Sequence, residues 1–436
     1  MAGAMGQRLA ELIAEYEVPG AALAYLHEGE LHEFAAGTLN TATGVESTTD
    51  SLFQIGSVTK VWTATLLMRQ IERGRLTLDT PVAEVLPGFQ VADPEVSKTV
   101  TIRHLLTHTS GIDGDLFIDT GRGDDCVAKY VEACADLAQN HPLGATHSYC
   151  NSGFVIAGRV AEKLAGKRWD DLIREEIAEP LGLTHTWTLP EDVLRFRAAM
   201  GHAGGAPAPQ WGLMRGMGPA GLICARPADV VAFARAHLEG GLLDDPRAMW
   251  EPQVDVPNPD GLGRQWGLGW IVDEWDGKRV ISHAGNTIGQ HAILWAVPET
   301  GTVICAAANG GHSTAFTRAL GTELFAQLDG LTVPPPPSPP QTPAGADAAR
   351  HAGLYERAGA RIEVSVREGE PWLRHEATGA LAALQPPEES AMVAVDENTY
   401  LFKLGGSPDW MSAVFYELPD GSPYVHMGAR ATPKTG

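Results

Sequence analysis

The first forty residues show two different hydrophobic periods. Four apolar residues near the start recur at the spacing of one helix face: Leu9, Leu12, Ile13 and Tyr16. This spacing predicts an amphipathic helix. Two apolar runs follow in AALAYLHEGELHEFAAG, and the Glu-Gly pair between them is a turn signal. The chain is therefore expected to begin with a helix and a β-hairpin.

The middle of the chain is helical in pattern, and strands return late. SGFVIAGRVAEKLAG and PADVVAFARAHLEGG follow the helical period, whereas strand-like runs begin at Trp266 (WGLGWIV) and at Ala292. The second run reads as a hairpin turning near residues 299–301. A last helix places Phe316 and Leu320 on one face. The pattern predicts an α+β fold (an α/β sandwich), in which an antiparallel sheet is flanked by helices and accompanied by a helical region.

A proline-rich segment over residues 334–348 divides the chain. Such a run is extended and semi-rigid, and it does not join a packed core easily. It predicts a large domain over residues 1–333 and a small one over residues 349–436. In the small domain RIEVSVREG alternates at every second position, and short strand-like runs follow it. These runs predict a small β-barrel or sandwich.

Composition and charge exclude several classes of partner. The chain has 32 Lys+Arg and 54 Asp+Glu, so the formal net charge is 32 − 54 = −22. This charge disfavours nucleic acids and anionic membrane surfaces as partners. The five cysteines are an odd number without a Cys-x-x-Cys pair, which is typical of a reducing compartment. The start lacks the apolar core of a signal peptide, and no run approaches a membrane span of about 18 residues. We therefore expect a cytoplasmic protein.

The stretch FQIGSVTKVWTATLLM contains a lysine that its surroundings do not favour. Ser57 and Lys60 lie about one helical turn apart in a segment that is apolar almost all round. A buried lysine must be paired or must lose its charge, and a neutral lysine is a competent general base. Ser57 is then the nucleophile that Lys60 activates. The alternative is an N-cap serine followed by a solvated lysine, which the preceding Gly56 also fits.

Two further motifs are candidates for the same cleft. Tyr149 and Asn151 lie two residues apart at the start of a predicted helix, and His283 begins a His-Ala-Gly motif that ends at Gly285 between two strand-like runs. Together with Ser-x-x-Lys, they stand in the order found in serine β-lactamases and penicillin-binding proteins. The chain resembles this superfamily, most closely its class C-like branch of esterases, D-aminopeptidases and transacylases. Flanking segments such as TIRHLLTHTSGI, EPLGLTHT and GPAGLICARPADVVAFA extend the resemblance over residues 5–330.

The resemblance implies three catalytic residues. Ser57 attacks the substrate carbonyl, and Lys60 takes the proton of its hydroxyl group. Tyr149 helps Lys60 and relays the proton to the leaving group. In this family type the product of the first step is an acyl-enzyme on the serine.

Four further residues are implied to bind the substrate or to stabilise the oxyanion. Asn151 holds the acyl side chain or the catalytic lysine. The backbone N–H of Asn286, which follows Gly285, forms the oxyanion hole with the backbone N–H of Ser57. His283 stands where many relatives have a lysine that binds a carboxylate. Because a histidine is only partly charged near neutral pH, we expect weaker binding of a β-lactam carboxylate.

The resemblance implies a serine acyl-enzyme catalyst that acts on a small-molecule ester or amide, without a cofactor. If water releases the acyl group, the protein is an esterase, amidase or peptidase. If an amine or alcohol acceptor releases it, the protein is a transacylase in secondary-metabolite (antibiotic) biosynthesis. A third alternative is a sensor that stays acylated. A zinc site is not expected, because Leu105 stands where a metalloprotease helix has its glutamate between His104 and His108.

The C-terminal residues 349–436 resemble the small lipocalin-like domains that are appended to some of these hydrolases. We expect this domain either to cover the mouth of the cleft or to build a contact between copies in a homo-oligomer. The remaining expected partners are the small-molecule substrate and, for a transacylase, the acceptor. Neither nucleic acid nor a membrane is expected.

Overall fold

The computed structural model describes residues 2–378, 386–405, 407 and 409–436. Within these ranges no helix combines the length and the apolar character that are needed to cross a membrane. The helices are α1 (Ala2–Glu15), α2 (Thr59–Glu72), α3 (Val82–Val85), α4 (Pro94–Thr99), α5 (Ile102–Leu106), α6 (Cys126–Ala133), α7 (Asn151–Ala165), α8 (Trp169–Ile173), α9 (Pro190–Val193), α10 (Gly218–Gly221), α11 (Pro227–Glu239) and α12 (Ser313–Leu328).

The strands fall into two groups along the chain. The first group is β1 (Gly20–His27), β2 (Glu30–Asn40), β3 (Val45–Glu46), β4 (Phe53–Gln54), β5 (Thr186–Trp187), β6 (His202–Ala203), β7 (Ala206–Pro207), β8 (Cys224–Ala225), β9 (Val254–Asp255), β10 (Gln265–Trp266), β11 (Ile271–Trp275), β12 (Lys278–Asn286), β13 (His291–Val297) and β14 (Thr302–Ala308). The second group is β15 (Gly353–Arg357), β16 (Ala360–Arg367), β17 (Glu370–Ala377), β18 (Glu388–Ala391), β19 (Val393–Ala394), β20 (Thr399–Phe402), β21 (Met411–Glu417), β22 (Pro423–Met427) and β23 (Arg430–Pro433).

A nine-stranded antiparallel sheet joins the two ends of the N-terminal part. Its order is β3-β2-β1-β14-β13-β12-β11-β10-β9, so the first hairpin pairs with a strand that comes after residue 300. All residues of β13 and β14 are buried, which fits their apolar composition and their central place. The predicted α+β architecture with a sheet built from distant segments is confirmed.

Helices cover both faces of this sheet. Ala22 and Leu26 of β1 contribute to the core shared with α2, α7 and α11, while Leu23 and Tyr25 contribute to the core shared with α1 and α12. This alternation follows from the two-residue period of a strand. Eleven of the fourteen residues of α2 are buried, and Trp62 stacks on Phe233 of α11 with ring centroids 3.8 Å apart. The helix that follows Ser57 is therefore an interior element.

The strand expected from Trp266 is interrupted. Residues 267–270 separate β10 from β11, and Gly269 adopts a positive φ of +89°. A Cβ at Gly269 would lie 3.0 Å from the Cβ of Ala64 in α2. The close approach of α2 thus requires the break that the hydrophobic pattern alone did not predict.

The C-terminal strands form a four-stranded sheet, β15-β16-β17-β18, and a five-stranded sheet, β19-β20-β21-β22-β23. A bridge between Tyr355 and Lys434 lies between their outer members. The expected closed, lipocalin-like barrel is not confirmed, because the described strands belong to two separate sheets. Between Leu328 and residue 348 the described chain has no helix or strand, whereas the boundaries at residues 333 and 349 remain predictions.

The C-terminal sheets contact the segment just before α7. The carbonyl oxygen of Ala429 accepts a hydrogen bond of 2.9 Å from the backbone N–H of Tyr149. The backbone N–H of Ala431 donates to Ser148 Oγ over 3.2 Å. The turn between β22 and β23 therefore lies directly beside Tyr149.

Candidate active site

Ser57 lies on a tight turn at the entrance to α2. Residues Gly56–Val58 form one turn of 3-10 helix, and Gly56 adopts a left-handed φ of +52°. The N-cap of α2 is Val58, which makes no side-chain capping bond. The alternative of an N-cap serine is therefore wrong, and the Ser57 hydroxyl group is free for another partner.

Lys60 points at Ser57 from the interior. Its Nζ lies 2.9 Å from Ser57 Oγ and donates a second bond, of 2.7 Å, to the carbonyl oxygen of Ala220. The side chain is fully buried. Burial, followed by the positive charge of Arg430, lowers the pKa of Lys60 well below its ordinary value. Burial thus favours the neutral amine of Lys60, and the lone pair of such an amine can accept the proton of a hydroxyl group.

Tyr149 lies beside Ser57 and Lys60. The Lys60 Nζ lies 4.9 Å from the centroid of the Tyr149 ring. Burial raises the pKa of Tyr149, although a hydrogen bond with Ser57 and the charge of Arg430 partly oppose this. Burial therefore favours the protonated phenol of Tyr149 and the neutral amine of Lys60.

The end of β12 approaches the Ser57 turn through backbone atoms. A Cβ at Gly285 would lie 2.0 Å from the carbonyl oxygen of Ile55 and 2.7 Å from the backbone nitrogen of Ser57. A Cβ at Gly56 would lie 2.8 Å from the backbone nitrogen of Asn286. The two backbone nitrogens named for the oxyanion hole are thus held close together by contacts that only glycine permits.

Asn151 is the first residue of α7, one of the helices that share a core with α2. Its backbone N–H donates to the carbonyl oxygen of Gly114 over 3.2 Å. The preceding Cys150 caps the helix, because its sulfur accepts a hydrogen bond of 3.1 Å from the backbone N–H of Gly153. Cys150 therefore has a packing and capping function rather than that of an exposed nucleophile.

His283 is on the sheet face that looks towards the helical region, and it is almost completely buried. Its Nδ1–H donates to the carbonyl oxygen of Ala284 over 2.7 Å. Burial is the main cause that lowers the pKa of His283, to about 3. The expectation of a partly charged histidine is wrong, because burial keeps the imidazole neutral at every pH near 7.

One group of residues beside the site was missed in the sequence. Arg430 of β23 lies over the Tyr149 ring, with 5.2 Å between its Cζ and the ring centroid. Its Nη2 and Nε donate to the two carboxylate oxygens of Asp115 over 2.6 and 3.1 Å, and Arg357 donates to the same carboxylate over 3.2 Å. No local motif marks these residues, because they meet only when the C-terminal sheets dock.

Comparisons with known proteins agree with this geometry. The Beta-lactamase family matches residues 5–329. "Penicillin-binding protein 4" from Amycolatopsis lactamdurans is 47% identical over 369 residues, which cover 81% of this chain and 97% of that protein. A "D-aminopeptidase" from Brucella anthropi is 28% identical over 297 residues, which cover 64% of this chain and 54% of that protein.

Among solved structures, the crystal structure of SurE with D-Leu superposes with a TM-score of 0.81 at 26% identity. The match covers 100% of this chain and 99% of that one, so it includes the C-terminal sheets. The family match spans most of the chain and contains Ser57, Lys60, Tyr149 and His283. The chain belongs to the β-lactamase family, whose members include serine hydrolases.

Proposed function

We propose that the protein forms an acyl-enzyme on Ser57 from a small-molecule ester or amide. The observation that supports this most directly is the 2.9 Å contact between Ser57 Oγ and the amine of Lys60, which is fully buried. A buried amine without its proton is a base at neutral pH, and a serine hydroxyl group needs such a base to become a nucleophile.

In the acylation step the Ser57 oxygen attacks the substrate carbonyl while its proton moves to Lys60 Nζ. The negative charge that develops on the carbonyl oxygen is stabilised by the backbone N–H groups of Ser57 and Asn286. The bond to the leaving group then breaks, and the leaving group takes a proton through the phenol of Tyr149. Lys60 thereby returns to its neutral form, and the acyl group remains on Ser57 as an ester.

We assign the acyl group to the D-amino acid class. Two related proteins are named D-aminopeptidase, at 26% and 28% identity, and one of the structures that match the full length of this chain is that of SurE with D-Leu. A cavity of about 350 Å³ is consistent with this assignment. Its lining is mixed: Gln54, which comes three positions before Ser57, lies there with Trp211 and Leu213, and the charged side chains of Arg122 and Arg215 also line it. It offers room for a small side chain together with a polar group.

Water is the first candidate for the second step, as in the serine hydrolases of the family. It attacks the ester on Ser57 with Lys60 or Tyr149 as the base and releases an acid. An amine acceptor is the second candidate, because the turn between β22 and β23 lies against Tyr149 through Ala429 and Arg430. Elements that pack beside the nucleophile in this way leave less room for water and favour an acceptor that binds.

The test uses aryl esters of N-acetylated D- and L-alanine together with an aryl phosphonate. Intact mass and peptide mapping are expected to place the adduct on Ser57, and Ser57→Ala is expected to show none. The D-ester is expected to react faster than the L-ester. A folded wild-type protein without an adduct on Ser57 contradicts the proposed function.

The same experiment distinguishes the possible products. Acid as the only product at every amine concentration contradicts the transacylase, whereas an amide that increases with amine concentration supports it. A single stoichiometric burst without turnover identifies the sensor alternative.

A further inference from the structure

His108 is a buried histidine beside Tyr149, and its backbone conformation is unusual. It has a positive φ of +57°, and its side chain is fully buried. The backbone N–H of Cys150 donates to His108 Nδ1 over 2.9 Å. Because Nδ1 accepts this hydrogen bond, the proton of the neutral ring must be on Nε2. Nε2–H is buried and has no partner among the described residues.

His283 presents the opposite case. Its Nδ1–H donates to the carbonyl oxygen of Ala284 over 2.7 Å, because a carbonyl oxygen can only accept. Nε2 of His283 is therefore an unprotonated acceptor. It is also buried and has no partner in the described part of the chain. One buried donor on His108 and one buried acceptor on His283 thus lack partners in the described part of the chain, and so do both ring nitrogens of the neighbouring His147.

The two rings lie around the same pair of aromatic side chains. The Tyr149 ring centroid is 4.2 Å from that of His108 and 6.3 Å from that of His283. The Trp266 ring centroid is 4.8 Å from that of His108 and 5.5 Å from that of His283. The rings that carry the unpartnered donor and the unpartnered acceptor therefore both lie beside Tyr149 and Trp266.

Burial and a nearby cation keep His108 neutral. Burial is the main cause that lowers the pKa of His108, and the positive charge of Arg430 lowers it further. A second proton on His108 or His283 would add a cation to a region that already contains Arg430. Both histidines therefore stay neutral, and His283 does not supply the positive charge that a lysine gives many relatives at this position.

We propose that His108 and His283 hold one water molecule beside Tyr149, and that His108 is a positioning residue for the proton relay. The water oxygen accepts from His108 Nε2–H, and one of its O–H groups donates to His283 Nε2. Its second O–H group donates to the phenol oxygen of Tyr149, which directs the phenol's own proton towards Ser57 and the leaving group. Buried polar groups in proteins are regularly satisfied by such internal water. The inference rests on the proposed function.

Substitutions can test the acceptor function of His108 Nδ1 and the donor function of its Nε2–H separately. In His108→Asn the side-chain oxygen can still accept from Cys150 N–H, and asparagine tolerates a positive φ, but the Nε2–H donor is lost. In His108→Gln the amide N–H reaches the position of Nε2 and restores the donor. His237→Gln is the control, because His237 is also a buried neutral histidine but bonds Thr65 and the Phe233 carbonyl oxygen away from Tyr149.

The measurement is how strongly each substitution lowers kcat/KM for esters with different leaving groups. An alkyl ester needs a proton on its leaving oxygen, whereas a nitrophenyl ester does not. We expect His108→Asn to lower kcat/KM for the alkyl ester by about tenfold or more and that for the nitrophenyl ester by less than about threefold. His108→Gln is expected to recover part of the alkyl-ester rate, and His237→Gln to affect both esters equally. Equal losses on both esters in His108→Asn overturn the proposal.

A measurement on the wild-type protein is independent of how the variants fold. With ¹⁵N-labelled histidine, NMR is expected to show His108 protonated on Nε2 and His283 on Nδ1, without titration between about pH 6 and 8. A proton on His283 Nε2, or titration of either ring in this range, overturns the proposal. Absence of any acyl adduct on Ser57 contradicts the proposed function instead, so the two failures are distinct.

Discussion

Arg430 in the last strand lies over the ring of Tyr149, 5.2 Å from its centroid, and is held there by the carboxylate of Asp115. The position of this cation has a chemical effect. The positive charge of Arg430 is the second cause, after burial, that lowers the pKa of Lys60. A residue of the C-terminal sheets therefore helps to lower the pKa of the lysine beside Ser57.

We expect Arg430→Met to move the pH dependence of acylation to higher pH. Loss of the cation raises the pKa of Lys60, and the reaction needs Lys60 without its proton. The ascending limb of kcat/KM, on the acid side of the profile, therefore moves to higher pH. The measurement is kcat/KM for an aryl ester between pH 5 and 10. Arg430→Lys is expected to shift the profile less, because the charge remains.

Arg367→Met is the matched control for this experiment. Arg367 is exposed and pairs with Glu389 in the C-terminal sheets. It is not among the principal groups that shift the pKa of Lys60. Its profile is expected to match the wild type. An unchanged profile in Arg430→Met contradicts the electrostatic explanation.

Lys60→Arg is expected to lose acylation almost completely, by about 10²–10⁴-fold, since a guanidinium group stays protonated and cannot serve as a base. The rate of adduct formation on Ser57, followed by mass spectrometry, measures this directly. An active Lys60→Arg enzyme would assign the base to Tyr149 instead.

Lys60→Met is expected to stabilise the protein at pH 7 by about 1–2 kcal/mol while it abolishes activity. The pKa of Lys60 is depressed in the folded state, so the unfolded chain binds one more proton at pH 7 and folding must release it. This cost is present below the unfolded pKa of about 10.4 and disappears as the pH rises towards it. Urea unfolding of both proteins at pH 7 and pH 9.5 tests the sign, because the advantage of Lys60→Met must become smaller at pH 9.5.

Gly285→Ala is expected to reduce kcat by about 10²–10³-fold, because the new methyl group would collide with the carbonyl oxygen of Ile55 and move one oxyanion donor away. Gly345→Ala is the control, since a Cβ at Gly345 meets no atom within 4 Å. The measurements are kcat with an aryl ester and the thermal unfolding midpoint. Full activity in a folded Gly285→Ala protein contradicts the assignment of the oxyanion hole.

The parts of the site that are predictable from sequence are those that depend on local chemistry. Ser57 and Lys60 attract notice because a lysine in an apolar helix needs a chemical reason. The order of the motifs that contain Tyr149 and His283 then supports one cleft. The neutral state of His283 was not predictable, because it results from burial against β13 and the helical region.

Long-range contacts explain what the sequence did not indicate. Arg430 and Asp115 become neighbours only through docking of β23, and the break at Gly269 exists because α2 passes close to the sheet. His108 looked like one half of a zinc pair, whereas its Nδ1 accepts from the backbone of Cys150. Each of these features depends on a partner that is remote in the chain.

The hydrogen bond between Tyr149 and Ala429 also has a consequence for the order of events in folding. The nine-stranded sheet and its helices include Ser57 and Lys60, but the surroundings of Tyr149 are complete only after β22 and β23 have docked. Domains of a large chain commonly form one after another. During refolding, the fluorescence of tryptophans such as Trp62 is therefore expected to recover before acylation of Ser57 does, with a lag that reports the docking step.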